Sequence, residues 1–286
     1  MVINWTMGIT IMGSFGAAIL GQMAANFFTN RRENKKYDKE CFQNLYSPLV
    51  FRIVEYVYNE SYKVIEMESE SFNENEFEKN ALNPEPIFEE IVEYMGKNLK
   101  YVHPELIMIY EEVKAITVLF REDKEDPSII LEQRINLCRE FLIEYNKLSN
   151  KLNILSQTVE DRIKVPIFLT EFYFLLNQCQ LWNLTERSLR DLALIEMIVL
   201  HKVDKEDENN TYLLNKIMKI NKEIVHVTNT KTFQNRYDDA FTDAYQLLNE
   251  IVDEFSSVPA AEDTAKYWKD ALEKEFKNKN SSKLIG

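Results

Sequence analysis

Beyond Gly21 the chain holds only two glycines, Gly96 and Gly286. Glycine supplies the positive-φ positions of tight hairpins and the close backbone approach of phosphate-cradling loops. Residues 22–286 have almost no material for either, and this favours helices. Hydrophobic residues make up 45% of the chain, with 17 Phe and 14 Tyr, enough for a large core. No run reads as a strand bounded by turn signals, and no repeat of fixed period is present. The fold class expected is all-α, as a multi-helix bundle or a short α-solenoid.

Proline and capping residues punctuate the body. Ser47-Pro48, Pro86, Pro104, Asp126-Pro127, Pro166 and Thr185 are read as helix starts, and Val258-Pro259 as a break. Between them apolar residues recur at helical spacing. Examples are Ile87, Ile91 and Met95; Ile135, Cys138, Leu142 and Tyr145; and Ala240, Ala244, Leu248, Ile251 and Phe255. Residues 167–182, IFLTEFYFLLNQCQLW, are apolar nearly all round, which predicts a central core helix. The glutamate-rich stretch 66–86 lacks a period and reads as a solvated loop.

The four remaining glycines lie within the first 21 residues, in a segment of different character. Residues 1–30 carry no charged side chain. Met7 to Phe28 is 22 residues, or about 33 Å of helix, against a hydrocarbon core of about 30 Å. This predicts a transmembrane anchor, with Trp5 at one interface and Phe27, Phe28, Arg31 and Arg32 at the other. Arg31, Arg32, Lys35, Lys36 and Lys39 begin a basic stalk over 31–47. The positive-inside rule then puts the N-terminus outside and the body, 48–278, in the cytoplasm. A signal peptide would carry its basic residues on the other side. An amphipathic or buried soluble helix remains the alternative, favoured by Gln22 and Asn26. Gly13, Ala17, Gly21 and Ala25 form one stripe of small side chains, suited to self-association or to a second membrane helix. An internal boundary near 122–127 or 157–166 is open, and 279–286 is expected to fray.

The search for chemistry returns little. No phosphate-binding loop, dinucleotide fingerprint, nucleophile elbow or HExxH is present. A net charge of −13 argues against a broad nucleic-acid surface. Cys41, Cys138 and Cys179 have no CxxC spacing and suit a reducing compartment. His103 with Glu105, and Glu223 with His226, are the weak candidates for metal or acid–base work. Neither has a further ligand tied to it by spacing, and a di-iron bundle needs two copies of Glu-x-x-His. No cofactor is expected.

The order of anchor, basic stalk, QNLYSPLVFRIVEY (43–56) and IVEYMGKNLKYVHPELIMIYEEVK (91–114) resembles a loose group of uncharacterised bacterial and prophage-type proteins. In these a single membrane helix precedes an LYxPL segment. The resemblance covers about the first 120 residues and implies a protein at the inner face of a bacterial membrane, with no activity attached. The expectation is a non-enzymatic, membrane-tethered interaction or regulatory module with a protein partner, of a kind used in host–phage conflict or envelope regulation. Two alternatives stay open: an enzyme with a hidden metal-dependent or nuclease-like site, and a pore built from the small-residue helices.

Overall fold

The computed structural model describes residues 32–70, 72–119, 127–200, 209–229, 233–259 and 261–283. Among them every regular element is helical. No described helix is long and apolar enough to cross a membrane. The expected anchor, with Trp5, Gly13, Ala17, Gly21, Ala25, Phe27, Phe28 and Arg31, lies outside the described residues. The stalk is helical over 32–41 (α1), largely exposed, with Arg32 in solvent and Lys36 facing Glu40 at 3.9 Å.

Ser47-Pro48 does not start a helix, contrary to the sequence expectation. α1 runs through a wide π turn, Phe42–Tyr46, into α2, Ser47–Met67. The cause is Pro48. In an α-helix its N–H would bond the Asn44 carbonyl, and proline has none. The turn widens, and the Ser47 N–H reaches the Phe42 carbonyl. The orphaned Asn44 carbonyl accepts from the Tyr94 hydroxyl of the next long helix at 3.1 Å.

After a single turn, α3 (Glu74–Phe77), comes α4, Pro84–Lys97. Its start is Pro84 rather than Pro86, because the Asn83 side chain accepts from the Glu85 N–H at 3.1 Å. Part of the stretch 66–86 is therefore helical. Gly96 of α4 lies where a Cβ would stand 2.6 Å from the Tyr110 hydroxyl. The one glycine of the described body thus permits close approach of α5, Pro104–Leu119.

α6 spans Pro127–Leu152 and α7 Gln157–Gln178. The sequence placed the restart at Pro166, but α6 stops at Asn153, in the left-handed region at φ 60°. The Ile154 N–H bonds the Ser149 carbonyl and the Asn153 N–H that of Asn150, a Schellman termination without glycine. Pro166 then sits inside α7. The end of α7 repeats the device. Gln180 has φ 55°, and Leu181 and Gln180 donate to Leu176 and Asn177. α8 (Trp182–Arg190) follows, three residues before Thr185, whose hydroxyl donates back to Leu181. Asp191 separates it from α9, Leu192–Leu200. α10 (Asn209–Asn229), α11 (Phe233–Ser256) and α12 (Glu262–Lys283) complete the body, so α12 runs into the expected frayed tail.

As expected from its composition, α7 is central. Nearly every residue from Ile163 to Asn177 is buried, and it packs against α2, α6, α8, α9 and α10. Phe172 on α7 meets Phe255 on α11 and Trp268 on α12, with ring centroids within 6.3 Å of one another. Buried residues from Cys41 to Leu272 form one connected core. Within it Glu171 is 1% exposed. It accepts from Arg139 on α6 at 3.2 Å and from the Asn221 amide on α10, so its charge is paired. Asn221, two residues before the Glu-x-x-His copy begins, is therefore a structural tie.

The helices α2, α4, α5, α6 and α7 run up and down between two ends. At the entry end, α1 meets the end of α4, the start of α5 and the end of α6. Tyr37 donates to the Lys100 carbonyl at 3.0 Å, and Lys151 pairs with Asp38 at 2.6 Å. The opposite end gathers the end of α2 and the starts of α4, α6 and α8. α2 has 21 residues, which separates the two ends by about 30 Å.

Candidate functional site

The sequence candidates first. His103 directly precedes α5 and its Nδ1 lies 3.4 Å from Glu105. The fold adds Glu144 from α6, distant in sequence, and the three ligand atoms lie within 4.8 Å of one another. Lys147 already holds Glu144 at 2.9 Å, and His103 and Glu105 are exposed. The arrangement is a solvated ion-pair cluster on the rim of a cavity of about 170 Å³. Glu223 and His226 ride on α10, Glu223 facing Lys219 at 3.7 Å and His226 exposed. The two histidine sites lie on different helices and share no cluster.

A much larger concave feature lies elsewhere among the described residues, at the far end of the bundle. It is an open groove of about 810 Å³. The end of α2 supplies Glu60, Lys63 and Met67; α6 supplies Ile129, Glu132 and Arg134. The end of α7 gives Tyr173 and Asn177, and α8 gives Trp182 and Glu186. The local chemistry explains these positions. The left-handed Gln180 turns the chain directly into α8, so Trp182, its first residue, points outward and is 61% exposed. Met67 and Ile129 are also exposed at 56% and 40%, giving the groove an apolar rim.

Its floor is charged and unevenly paired. The Asn83 cap sets Glu85 in the first turn of α4, where a carboxylate suits the positive end of the helix dipole. Glu85 accepts two bonds from Arg134, at 2.7 and 2.8 Å, and faces Lys63 at 3.9 Å. Both cations of the groove thus contact Glu85, and from farther off both also favour the charged form of Glu60. Glu60, Glu132 and Glu186 have no cation within 4.0 Å among the described residues. Burial pushes the Glu60 carboxyl up from its ordinary range, against the Tyr56 hydroxyl that favours its charged form. Burial also raises Glu132, partly offset by a bond from Asn177. The Tyr173 phenol is raised by burial and then by Glu132, Glu60 and Glu186, which line the same groove.

No cysteine lines the groove. All three thiols are buried, and burial raises Cys138, away from the thiolate that nucleophilic chemistry requires. The arrangement is fit for binding: an apolar rim, an aromatic at the mouth and carboxylates on the floor. No sequence signal singled it out, because its residues come from five segments between 60 and 186. Trp182 in particular, expected as the end of a core helix over 167–182, instead opens α8 and is exposed.

Comparison with known proteins gives no further constraint: no family model, curated protein or solved structure matches the chain.

Proposed function

We propose that the protein is a membrane-tethered helical interaction module, which presents the groove to a protein partner at the inner face of a bacterial membrane. The reading rests on the groove: a site of about 810 Å³ with exposed Trp182, Met67 and Ile129 on its rim. Buried aromatic anchors dominate protein recognition, and an aromatic exposed over a cleft is ready to become one. The uncharged segment 7–28 and the basic run after it supply the tether in this reading. Tethering would raise the local concentration of the module for partners on the same surface. The stripe Gly13, Ala17, Gly21 and Ala25 adds a route to pairing within the bilayer.

The test places a photo-cross-linking residue at Trp182, and separately at Tyr267, an exposed aromatic on α12. Full-length protein is recovered from carbonate-washed membranes after irradiation in cells. A defined partner captured from position 182 and not from 267 is the expected result. Protein that washes off the membrane removes the tether, and equal capture from both positions removes the groove.

A further inference from the structure

The groove's charges identify the kind of partner it takes, given that it binds protein at all as proposed above. We infer that the groove binds an amphipathic helix of another protein through a lysine or arginine side chain, seated among Glu60, Glu132 and Glu186. That helix would lay its apolar face on Trp182, Met67 and Ile129.

Three observations carry this. First, among the described residues no cation lies within 4.0 Å of these carboxylates, and the groove lining carries more acids than cations. Glu60 is 3% exposed, and burying an unpaired carboxylate is costly. Arg134 and Lys63 stand close by but turn to Glu85. A cation brought by the partner would complete the set. Second, the carboxylates line the same groove as the aromatic side chains Tyr173 and Trp182, the latter exposed at its mouth. Aromatic faces and carboxylates together suit a desolvated ammonium or guanidinium better than either alone. Third, the walls are helices, and no strand edge is present among the described residues. An extended peptide would find no backbone ladder here, whereas a helix satisfies its own backbone bonds and offers side chains alone.

The test uses full-length protein in non-ionic detergent and two labelled amphipathic helical peptides, one of Leu and Lys and one of Leu and Glu. Binding is read by fluorescence anisotropy. The Leu/Lys peptide is expected to bind at least about tenfold more tightly than the Leu/Glu peptide, with the difference shrinking as salt rises. Combined Glu132→Gln and Glu186→Gln is expected to weaken Leu/Lys binding by about fivefold or more. Glu273→Gln with Glu275→Gln, which removes the same charge from α12, should leave it unchanged. Trp182→Ala should weaken binding without shifting Tm. Equal binding of the two peptides, or equal loss from the groove and α12 pairs, overturns the inference. So does self-association of the full chain that Trp182→Ala abolishes, since the occupant would then be a second copy. If cross-linking at Trp182 captures a defined partner while the groove glutamines change nothing, the interaction module stands and the basic-helix inference alone falls.

Discussion

The two ends of the helical body differ in what they leave unpaired. At the entry end several polar groups are answered within the fold. Tyr94 replaces the donor that Pro48 lacks, Tyr37 caps the Lys100 carbonyl, Lys151 holds Asp38, and Lys147 holds Glu144. The cavity there is about 170 Å³. At the groove end the opening is about 810 Å³, three carboxylates have no cation within 4.0 Å among the described residues, and a tryptophan stands in solvent. The same helices build both ends, so packing alone does not explain the contrast. In the proposed reading, the end whose chemistry closes on itself serves the fold and the open end serves a partner.

The largest expected effect is at the closed end. Phe141 is fully buried and its ring lies 4.9 Å from that of Tyr46. Phe141→Ala should cost about 3–5 kcal/mol in denaturant unfolding. A loss below about 1 kcal/mol would show the entry end to be loosely packed. Tyr94→Phe leaves the Asn44 carbonyl without its phenol donor and should cost about 1 kcal/mol by the same measurement. No change would mean that water replaces the phenol.

Glu60→Gln acts at the open end with opposite sign. The folded Glu60 carboxyl holds its proton to higher pH than an unfolded one. The folded state therefore binds more protons between the two values, and this contribution to stability is lost as pH rises through that window. Glu60→Gln should raise stability above the window and flatten the pH dependence there. The groups around it are Tyr56 and Lys63 on α2, Glu85 on α4 and Arg134 on α6. A stability loss at neutral pH would show that they already pair it. Gln180→Gly relieves a left-handed residue at the mouth of the groove and should gain about 0.5–1 kcal/mol, read as a rise in Tm. The smallest effect is Trp182→Ala, within about 0.5 kcal/mol in stability. A larger loss would mean that Trp182 belongs to the fold, and the contrast between the ends would weaken.

Local chemistry explains which of these features sequence reading could reach. The apolar faces of the long helices were legible because each is set by its own spacing. Ile87, Ile91 and Met95 are buried, as are Ala240, Ala244, Leu248, Ile251 and Phe255. The all-round apolar run of α7 announced its central place. Several boundaries were misread where the deciding group lies elsewhere. Pro48 sits in a continuous helical run because Tyr94, far along the chain, supplies a donor. α6 ends at Asn153 and α7 at Gln180, residues that carry no glycine-like signal. Asp191 breaks α8 from α9 while accepting from Arg187 at 2.6 Å and from Trp268 on α12 at 2.8 Å. The groove was illegible for the same reason on a larger scale. Glu60, Glu132 and Glu186 are ordinary helical glutamates until three helices bring them to one groove.

The buried cysteines have a practical consequence. Cys41, Cys138 and Cys179 are at most 6% exposed. They stand in different layers, on α1, in the middle of α6 and at the end of α7. A thiol reagent can reach each only when its own layer opens. Alkylation rates at the three sulfurs would therefore act as three clocks within one molecule, recording the order in which its layers come apart.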